Sequence, residues 1–279
     1  MQPSPPLTRD TIHSTRSTTW LGRRLELFES LPSTNREAVQ LAQAAVEHGT
    51  VVVADSQTAG RGRLSRSWFS PAGANLYCSV ILNAARPPER LAEWLSWLPL
   101  ISALAAAEAI EQVSSIRVSV KWPNDLLIAE RKAGGILCES GTGARSGPFQ
   151  TIGIGINVNM DKDDWPADLQ DSATSIWQER KIVVDRNRLL AQLLHELEEC
   201  LDELTIHGKS RLALAYSQRC STIGRKVQAT LANGEVLAGL AEGLGQDGSL
   251  LVRPQRAQPG SGTPEIVHLR VADILHVRT

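Results

Sequence analysis

Arginine and glycine alternate in one long loop, and this is the first segment whose residues could do chemistry. The loop runs from Asp55 to Trp68 and contains Arg61, Arg63 and Arg66. Glycine lets backbone N–H groups approach a ligand closely, and guanidinium groups fit phosphate or carboxylate oxygens. Loops of this length between strands are often functional. The pattern indicates an anion-binding loop; the alternative is a solvated basic loop, which Trp68 disfavours because a surface loop has no reason to carry an indole.

A second segment, Lys121-Trp122-Pro123-Asn124-Asp125, follows a predicted strand. Lys121 is a point charge suited to a phosphate, and the Asn124 amide can both donate and accept hydrogen bonds. Asp125 is a candidate cation ligand or general base. The alternative is a turn with ordinary Pro-Asn-Asp chemistry and no further role.

Two glycine-containing segments complete the set. Lys132 lies just before Gly134-Gly135, where a ligand could meet bare backbone, although an exposed hairpin turn is the alternative. In the segment from 153 to 157, glycines within a strand permit close backbone approach. Asn157 either reads a base or simply ends the strand, and both interpretations stay open.

The composition limits the function classes. The 279 residues include 29 Lys and Arg and 30 Asp and Glu, which gives a formal charge of −1. A near-neutral chain is not built to coat nucleic acid or anionic lipid, so phosphate binding requires a local concentration of positive charge. The sequence contains no GxxxxGK[ST], HExxH or GxSxG motif. It contains four cysteines without a CxxC pair, which favours a reducing, cytoplasmic location.

Elements of several kinds must position these segments. Thr34-x-x-Glu37 is a capping-box pattern and predicts a helix ending near Gly49. The apolar stretch 91–113 is interrupted by charges, which excludes a membrane span and predicts a buried helix that Pro99 starts, kinks or splits. A hairpin is expected about residues 130–134.

The chain length and the change in sequence pattern along the chain predict two folded parts. At roughly 150 residues per domain, the chain has room for one large domain and a small one. Residues 1–19 are rich in Pro, Ser and Thr and predict a disordered lead. Residues 20–217 would form the catalytic domain. Short alternating strands in 218–279, with a turn at Asp247-Gly248, predict a small β domain.

Taken together and in order, the segments resemble the biotin protein ligase family over roughly residues 24 to 220. The matching motifs are Ser33-Thr34-Asn35, Gln57-Thr58-Ala59-Gly60-Arg61-Gly62-Arg63, Trp68-Phe69-Ser70-Pro71, Lys121-Trp122-Pro123-Asn124-Asp125, Lys132-Ala133-Gly134-Gly135-Ile136-Leu137 and Gly153-Ile154-Gly155-Ile156-Asn157. The resemblance implies an α+β fold: a mixed β-sheet with flanking helices, as in class II aminoacyl-tRNA synthetases, plus a small C-terminal SH3-like β-barrel.

The resemblance also implies a reaction. Members of the family make biotinyl-5'-AMP from biotin and ATP with Mg²⁺, and then transfer biotin to one lysine of a biotin carboxyl carrier domain, as in acetyl-CoA carboxylase. A homodimer is also compatible with the family. The repressor-type members carry an N-terminal DNA-binding domain, and only about 20 residues precede the catalytic part here. We therefore expect neither DNA nor a membrane among the partners.

Residue roles follow from the same likeness. The biotin head group is expected to meet Ser33, Thr34 and Gln57, beside Asn35 and the backbone of Gly60 and Arg61. The residues expected at the carboxylate and the phosphates are Arg63, Arg66, Lys121 and Lys132. Trp68 is expected to pack on the adenine, with Asn124 and Asn157 near its edge, and Gly135 is a further expected binding residue. The predicted catalytic residues are Lys132, Arg63, Lys121 and Asp125.

Some points stay open. Asp125 either accepts a proton or helps to hold Mg²⁺, and no metal ligand is assigned. Leu64 and Ser67 stand where some members carry basic residues, so this loop is less cationic. The alternatives are a biotin-sensing transcription regulator and a lipoyl or octanoyl transferase. The neutral charge disfavours the first, and the arginine-glycine and Lys-Trp-Pro-Asn-Asp motifs disfavour the second.

Overall fold

The computed structural model describes residues 4–83, 91–231, 234–255, 265–270 and 272–276. These residues form six α-helices and twelve β-strands. The helices are α1 (Arg9–Thr15), α2 (Thr34–Gln43), α3 (Leu91–Ser114), α4 (Ile176–Arg180), α5 (Arg186–Ile206) and α6 (Ser210–Arg219). The strands are β1 (Leu25–Leu31), β2 (Val51–Gln57), β3 (Leu76–Asn83), β4 (Ser119–Lys121), β5 (Asp125–Ile128), β6 (Arg131–Gly143), β7 (Gly147–Ile156), β8 (Lys226–Thr230), β9 (Val236–Leu244), β10 (Leu250–Pro254), β11 (Val267–Leu269) and β12 (Asp273–His276).

A seven-stranded sheet forms the centre of the larger part, in the order β1-β2-β3-β7-β6-β5-β4. Strands β1 and β2 are parallel and the other neighbours are antiparallel, which confirms the predicted mixed sheet. Successive side chains of β2 point to opposite faces. Val51 and Val53 therefore belong to the core that includes α3 and α5, whereas Val52 and Ala54 pack with α2. Helices cover both faces of the sheet.

The C-terminal part is a separate five-stranded antiparallel sheet, in the order β11-β10-β9-β8-β12. This confirms the small C-terminal β domain and fits an SH3-like fold. Within the described ranges its end strands β11 and β12 do not pair, so this part of the sheet is open rather than a closed barrel. The predicted Asp247-Gly248 turn joins β9 to β10.

The two parts share one apolar core, and two indoles join them. Trp97 Nε1 of α3 donates to the Gln246 carbonyl at 3.2 Å, and Trp122 Nε1 donates to the Gly248 carbonyl at 3.0 Å. The C-terminal sheet is therefore held against the end of β4, where the Lys121–Asp125 segment begins. None of the helices in the described part of the chain is long and apolar enough to cross a membrane.

The prediction of a disordered lead is wrong for residues 9–15, which form α1. Ile12 of this helix is fully buried, and α1 packs on α5. Just before α1, the backbone N–H of Thr8 donates to Asn187 Oδ1 at 2.9 Å, and Asn187 Nδ2 donates to the Pro6 carbonyl at 2.9 Å. Contacts with a helix about 180 residues away thus order a segment whose composition alone indicates disorder.

Three local predictions also need correction. The N-cap residue of α2 is Ser33 and not Thr34, which is the first residue of the helix. The helix ends at Gln43, before the predicted end near Gly49. Helix α3 runs through Pro99 as one element, so Pro99 neither starts nor splits it. The hairpin turn lies at Ala129 and Glu130, both with positive φ, so Lys132 and the glycines after it stand on strand β6 rather than in a turn.

Candidate active site

A cavity of about 280 Å³ opens where the central sheet, the arginine-glycine loop and the C-terminal sheet meet. It brings together fourteen of the fifteen predicted site residues. They are Ser33, Thr34, Asn35, Gln57, Arg61, Arg63, Arg66, Trp68, Lys121, Asn124, Asp125, Lys132, Gly135 and Asn157. Gly60, the fifteenth, is buried behind the wall, where a Cβ would collide with the Trp68 carbonyl oxygen.

One end of the cavity is lined by buried polar side chains at the start of α2. Gln57 Oε1 accepts hydrogen bonds from the Thr34 backbone N–H at 2.9 Å and from Thr34 Oγ1 at 3.2 Å. Ser79 Oγ donates to Asn35 Oδ1 at 2.6 Å. Ser33 is 3% exposed, and its side chain makes no helix-capping hydrogen bond. Such a rigid polar end suits a small ligand with several donors and acceptors, because buried polar groups demand partners.

We call residues Gly60–Trp68 the arginine loop, which forms a small hairpin beside the cavity. Arg61 pairs with Ser67 through a β-bridge, and Trp68 N donates to the Gly60 carbonyl at 2.9 Å. At its tip, Leu64 and Ser65 have φ of 54° and 60°, in the left-handed region that non-glycine residues rarely adopt. The loop holds three arginines close to the cavity.

The indole of Trp68 lies on bare backbone in the middle of the sheet. Gly135 of β6 and Gly155 of β7 are opposite each other, and a Cβ on Gly155 would lie 2.7 Å from Trp68 Nε1. Lys132 Nζ is 5.5 Å from the centre of the ring, in cation–π range. The buried Trp68 Nε1 has no hydrogen-bond partner within the described residues. The glycines thus create a flat place for an aromatic ring.

The charged end contains one ion pair between two predicted catalytic residues. Lys132 Nζ is 2.6 Å from Asp125 Oδ1, and their side chains are 37% and 25% exposed. Five cationic side chains line the cavity, and Asp125 is the single carboxylate among the lining residues that the structure describes. This excess of positive charge suits a polyanion.

Asn124 and Asn157 have structural partners. Asn124 Oδ1 accepts from Arg63 Nη1 at 2.9 Å, and Asn124 Nδ2 donates to the Ile136 carbonyl at 2.6 Å. Asn157 Nδ2 donates to the carbonyls of Lys132 at 3.2 Å and Thr174 at 3.0 Å. Strand β7 ends at Ile156, so Asn157 stands where the strand ends, as one of its two interpretations expected, and it also supports the backbone of Lys132.

The C-terminal sheet contributes to the site, although its sequence did not indicate which of its residues would do so. Ala272 and Ile274 line the cavity, and the Ala272 carbonyl lies 3.4 Å from Arg63 Nη2. Burial, together with the positive charges of Lys121 and Arg225, lowers the pKa of His276 to about 4. This histidine is therefore neutral at pH 7.

Other residues of the site also escaped the sequence analysis. Tyr77 and Trp165 line the cavity, and Glu139 connects Asn35 to Arg61. Tyr77 lies in a run of consecutive buried residues on β3, which is typical of an ordinary core strand. Glu139 lies two residues beyond the Lys132–Leu137 motif, but its two partners are distant in sequence. A single sequence contains no signal for such contacts.

Comparison with known proteins identifies the family. Residues 27–159 match the model of the Biotin/lipoate A/B protein ligase family. The chain is 36% identical over 235 residues to the Bifunctional ligase/repressor BirA of Bacillus spizizenii, which covers 84% of this chain and 71% of that protein. The chain belongs to the biotin/lipoate A/B protein ligase family. The match to the Biotin--[acetyl-CoA-carboxylase] ligase of Mycobacterium tuberculosis is 30% over 249 residues, 89% of this chain and 90% of that protein.

Solved structures agree with this assignment. The Biotin protein ligase from Aquifex aeolicus in complex with biotin and ATP superposes with a TM-score of 0.76 at 27% identity, over 91% of this chain and all of that one. The M. tuberculosis relative and the A. aeolicus structure are named as biotin ligases, which confirms the resemblance and makes the chain a ligase of the biotin type. They also confirm the predicted fold class.

Proposed function

We propose that the protein is an ATP-dependent biotin protein ligase that makes biotinyl-5'-AMP and transfers biotin to one lysine of a biotin carboxyl carrier domain. The observation that carries the proposal is the division of one cavity into a buried polar end and a cationic end. A neutral, hydrogen-bonding head group suits the first, and a carboxylate and a triphosphate suit the second. The A. aeolicus relative holds biotin and ATP.

The polar end is proposed to bind the biotin head group. Thr34 and Gln57 are already bonded to each other, and Ser33 and Asn35 lie beside them at 3% exposure. These groups are oriented before a ligand arrives, so binding costs little side-chain entropy. The carboxylate of a biotin held there would point toward the cations.

In the first half-reaction, a biotin carboxylate oxygen attacks the α-phosphorus of ATP, and the bond to the β-phosphate oxygen breaks. Both reactants are anions, so fixed cations must bring them together. Arg63, Lys121 and Lys132 are proposed for this role, with Arg66 on the loop above. Preorganised positive groups stabilise the charge that develops in the transition state more than they stabilise the ground state. Pyrophosphate is the leaving group.

In the second half-reaction, the neutral amine of a carrier lysine attacks the acyl carbon, and AMP leaves. A proton must then be removed from the amine nitrogen. Asp125 is the proposed acceptor, since it is the carboxylate on the cavity wall. Asp125 Oδ1 lies 2.6 Å from Lys132 Nζ, so the proposed acceptor stands beside one of the cations proposed for the first half-reaction.

Mg²⁺ is proposed as part of the ATP complex. Within the described ranges, no three His, Cys, Asp or Glu side chains cluster as a ready metal site. Mg²⁺ usually keeps several waters and is held through one or two carboxylates and the substrate phosphates. That donor set fits one carboxylate, Asp125, and the ion would neutralise phosphate charge.

The remaining proposals concern partners and location. We propose a cytoplasmic protein, which four free cysteines support. We also retain the expectation that the protein does not bind DNA, because its formal charge is −1. A mobility-shift assay at low salt checks this: tight sequence-specific binding would favour the transcription-regulator alternative. Light scattering, which measures the molar mass in solution, tests whether the protein forms a homodimer.

Pyrophosphate release tests the proposed function. The protein is mixed with Mg²⁺ and ATP labelled on the γ-phosphate, and then with biotin, with lipoate or with neither acid. We expect labelled pyrophosphate only in the mixture that contains biotin. Labelled pyrophosphate that forms only with lipoate would show that the protein activates lipoate and not biotin. Lys162→Ala, at a lysine of the surface pair with Asp171, is a matched control for variants of Lys132.

A further inference from the structure

Glu139 is a single carboxylate that holds two different parts of the site. It stands on β6, immediately beyond the cavity wall. Its Oε2 accepts a hydrogen bond from Asn35 Nδ2 at 2.9 Å, and its Oε1 is 3.0 Å from Arg61 Nη2. Asn35 belongs to the polar end at the start of α2, whereas Arg61 belongs to the arginine loop. Glu139 thus spans the two.

The Asn35 side of this connection is rigid. Asn35 is 3% exposed, its Nδ2 also donates to the Leu137 carbonyl at 3.0 Å, and its Oδ1 accepts from Ser79. The amide packs so closely on Gly153 that any Cβ there would collide with it. All the hydrogen-bonding groups of the Asn35 side chain are therefore committed, and the position of Glu139 Oε2 is fixed by them.

The Arg61 side is at the base of the arginine loop and is half exposed, with 51% of the side chain open to solvent. Its backbone pairs with Ser67, the residue where the loop returns. A shift of Arg61 must therefore displace both ends of the loop. Because an exposed ion pair adds little to global stability, the pair is better suited to setting the loop's position than to holding the fold.

We propose that Glu139 is a positioning residue that couples occupation of the polar end to closure of the arginine loop. Because Asn35 fixes Glu139, the carboxylate holds Arg61, and with it the base of the arginine loop, close to a ligand that occupies the polar end. The coupling is reciprocal, so a closed loop slows the departure of the ligand. This inference rests on the proposed function, because it takes biotin as the ligand of the polar end.

The test variant is Glu139→Gln. The glutamine oxygen still accepts from Asn35, but the charge opposite Arg61 is lost. We expect biotinyl-AMP to dissociate about threefold to fivefold faster, as expected for loss of a partly exposed ion pair. We also expect faster protease cleavage in the loop of the biotin- and ATP-saturated protein. Glu242→Gln is the matched control, since Glu242 pairs with Arg253 on the C-terminal sheet and is similarly exposed, 29% against 26%.

A double-mutant cycle separates positioning from a general structural effect. In an Arg61→Gln background, Glu139→Gln should change the dissociation rate little further, because its partner is already gone. Additive effects would overturn the coupling, and so would a Glu139→Gln protein with wild-type dissociation and loop cleavage. If the wild-type protein binds no biotin, the proposed function fails instead, and the inference fails with it.

Discussion

Gly155→Ala is expected to weaken ATP binding without unfolding the protein. Gly155 lies on β7 beneath the indole of Trp68. A Cβ at this position would lie 2.7 Å from Trp68 Nε1, 2.8 Å from Cε2 and 3.0 Å from Cζ2. Ordinary contact between such atoms is about 3.5 Å. The indole must therefore retreat by roughly 1 Å from the sheet, while the strand itself can stay in place.

The magnitude follows from the stacking that Trp68 is proposed to provide. Stacking of a base on an aromatic side chain contributes about 1–3 kcal/mol. A displaced rather than deleted ring should lose roughly half of that, about 1 kcal/mol, so the KM for ATP should rise by about fivefold. The KM for biotin should change less, because the polar end is formed by α2 and β2.

The assay is biotin-dependent pyrophosphate release, measured at varied ATP and at varied biotin. Gly243→Ala is the control: Gly243 is also a strand glycine, but a Cβ there meets no atom within 4 Å. Both variants should melt near the wild-type temperature. A Gly155→Ala protein with an unchanged KM for ATP and intact folding would refute the placement of Trp68 at the nucleotide.

Three further results are expected. Lys132→Ala should lose adenylate formation and keep its fold, because its pair with Asp125 is partly exposed; an unfolded variant would indicate a structural lysine. Biotin with ATP should protect the bonds in 61–67 from protease, and equal cleavage with and without ligands would contradict a closing loop. Glu198→Gln should lower the free energy of unfolding by about 1–3 kcal/mol at pH 7, since the carboxylate accepts from the backbone N–H groups of Thr19, Trp20 and Leu21. Burial raises the pKa of Glu198, but these bonds outweigh it and hold the pKa below its usual value. The difference between variant and wild type in unfolding free energy should therefore shrink as the pH falls below about 4, and a constant difference would contradict this.

Local patterns predicted the parts of the site that each segment carries by itself. The three arginines and Gly62 of the arginine loop lie on the cavity wall, as does the motif at 121–125, as their chemistry indicated. Lys132 also lies there, although it stands on a strand and not in the expected turn. The error arose because the two residues of the actual turn, Ala129 and Glu130, lack the glycine that usually marks positive φ.

Features that depend on distant contacts could not be predicted. Helix α1 is ordered by Asn187 and by the apolar surface of α5, which no local composition describes. Ala272 reaches the cavity through the docking of one sheet on another, about 115 residues after the nearest motif, which ends at Asn157. Glu139 could not be predicted for the same reason, since its two partners come from helix α2 and from the arginine loop.

Biotin transfer to a carrier domain tests the central claim most directly. The protein is incubated with ATP, Mg²⁺, biotin and a biotin carboxyl carrier domain, and the carrier is analysed by intact and peptide mass spectrometry. We predict one added biotinyl group on a single lysine, dependent on ATP and abolished by Lys132→Ala. A carrier that stays unmodified with biotin, or one that gains a lipoyl group when lipoate is supplied instead, would contradict the account.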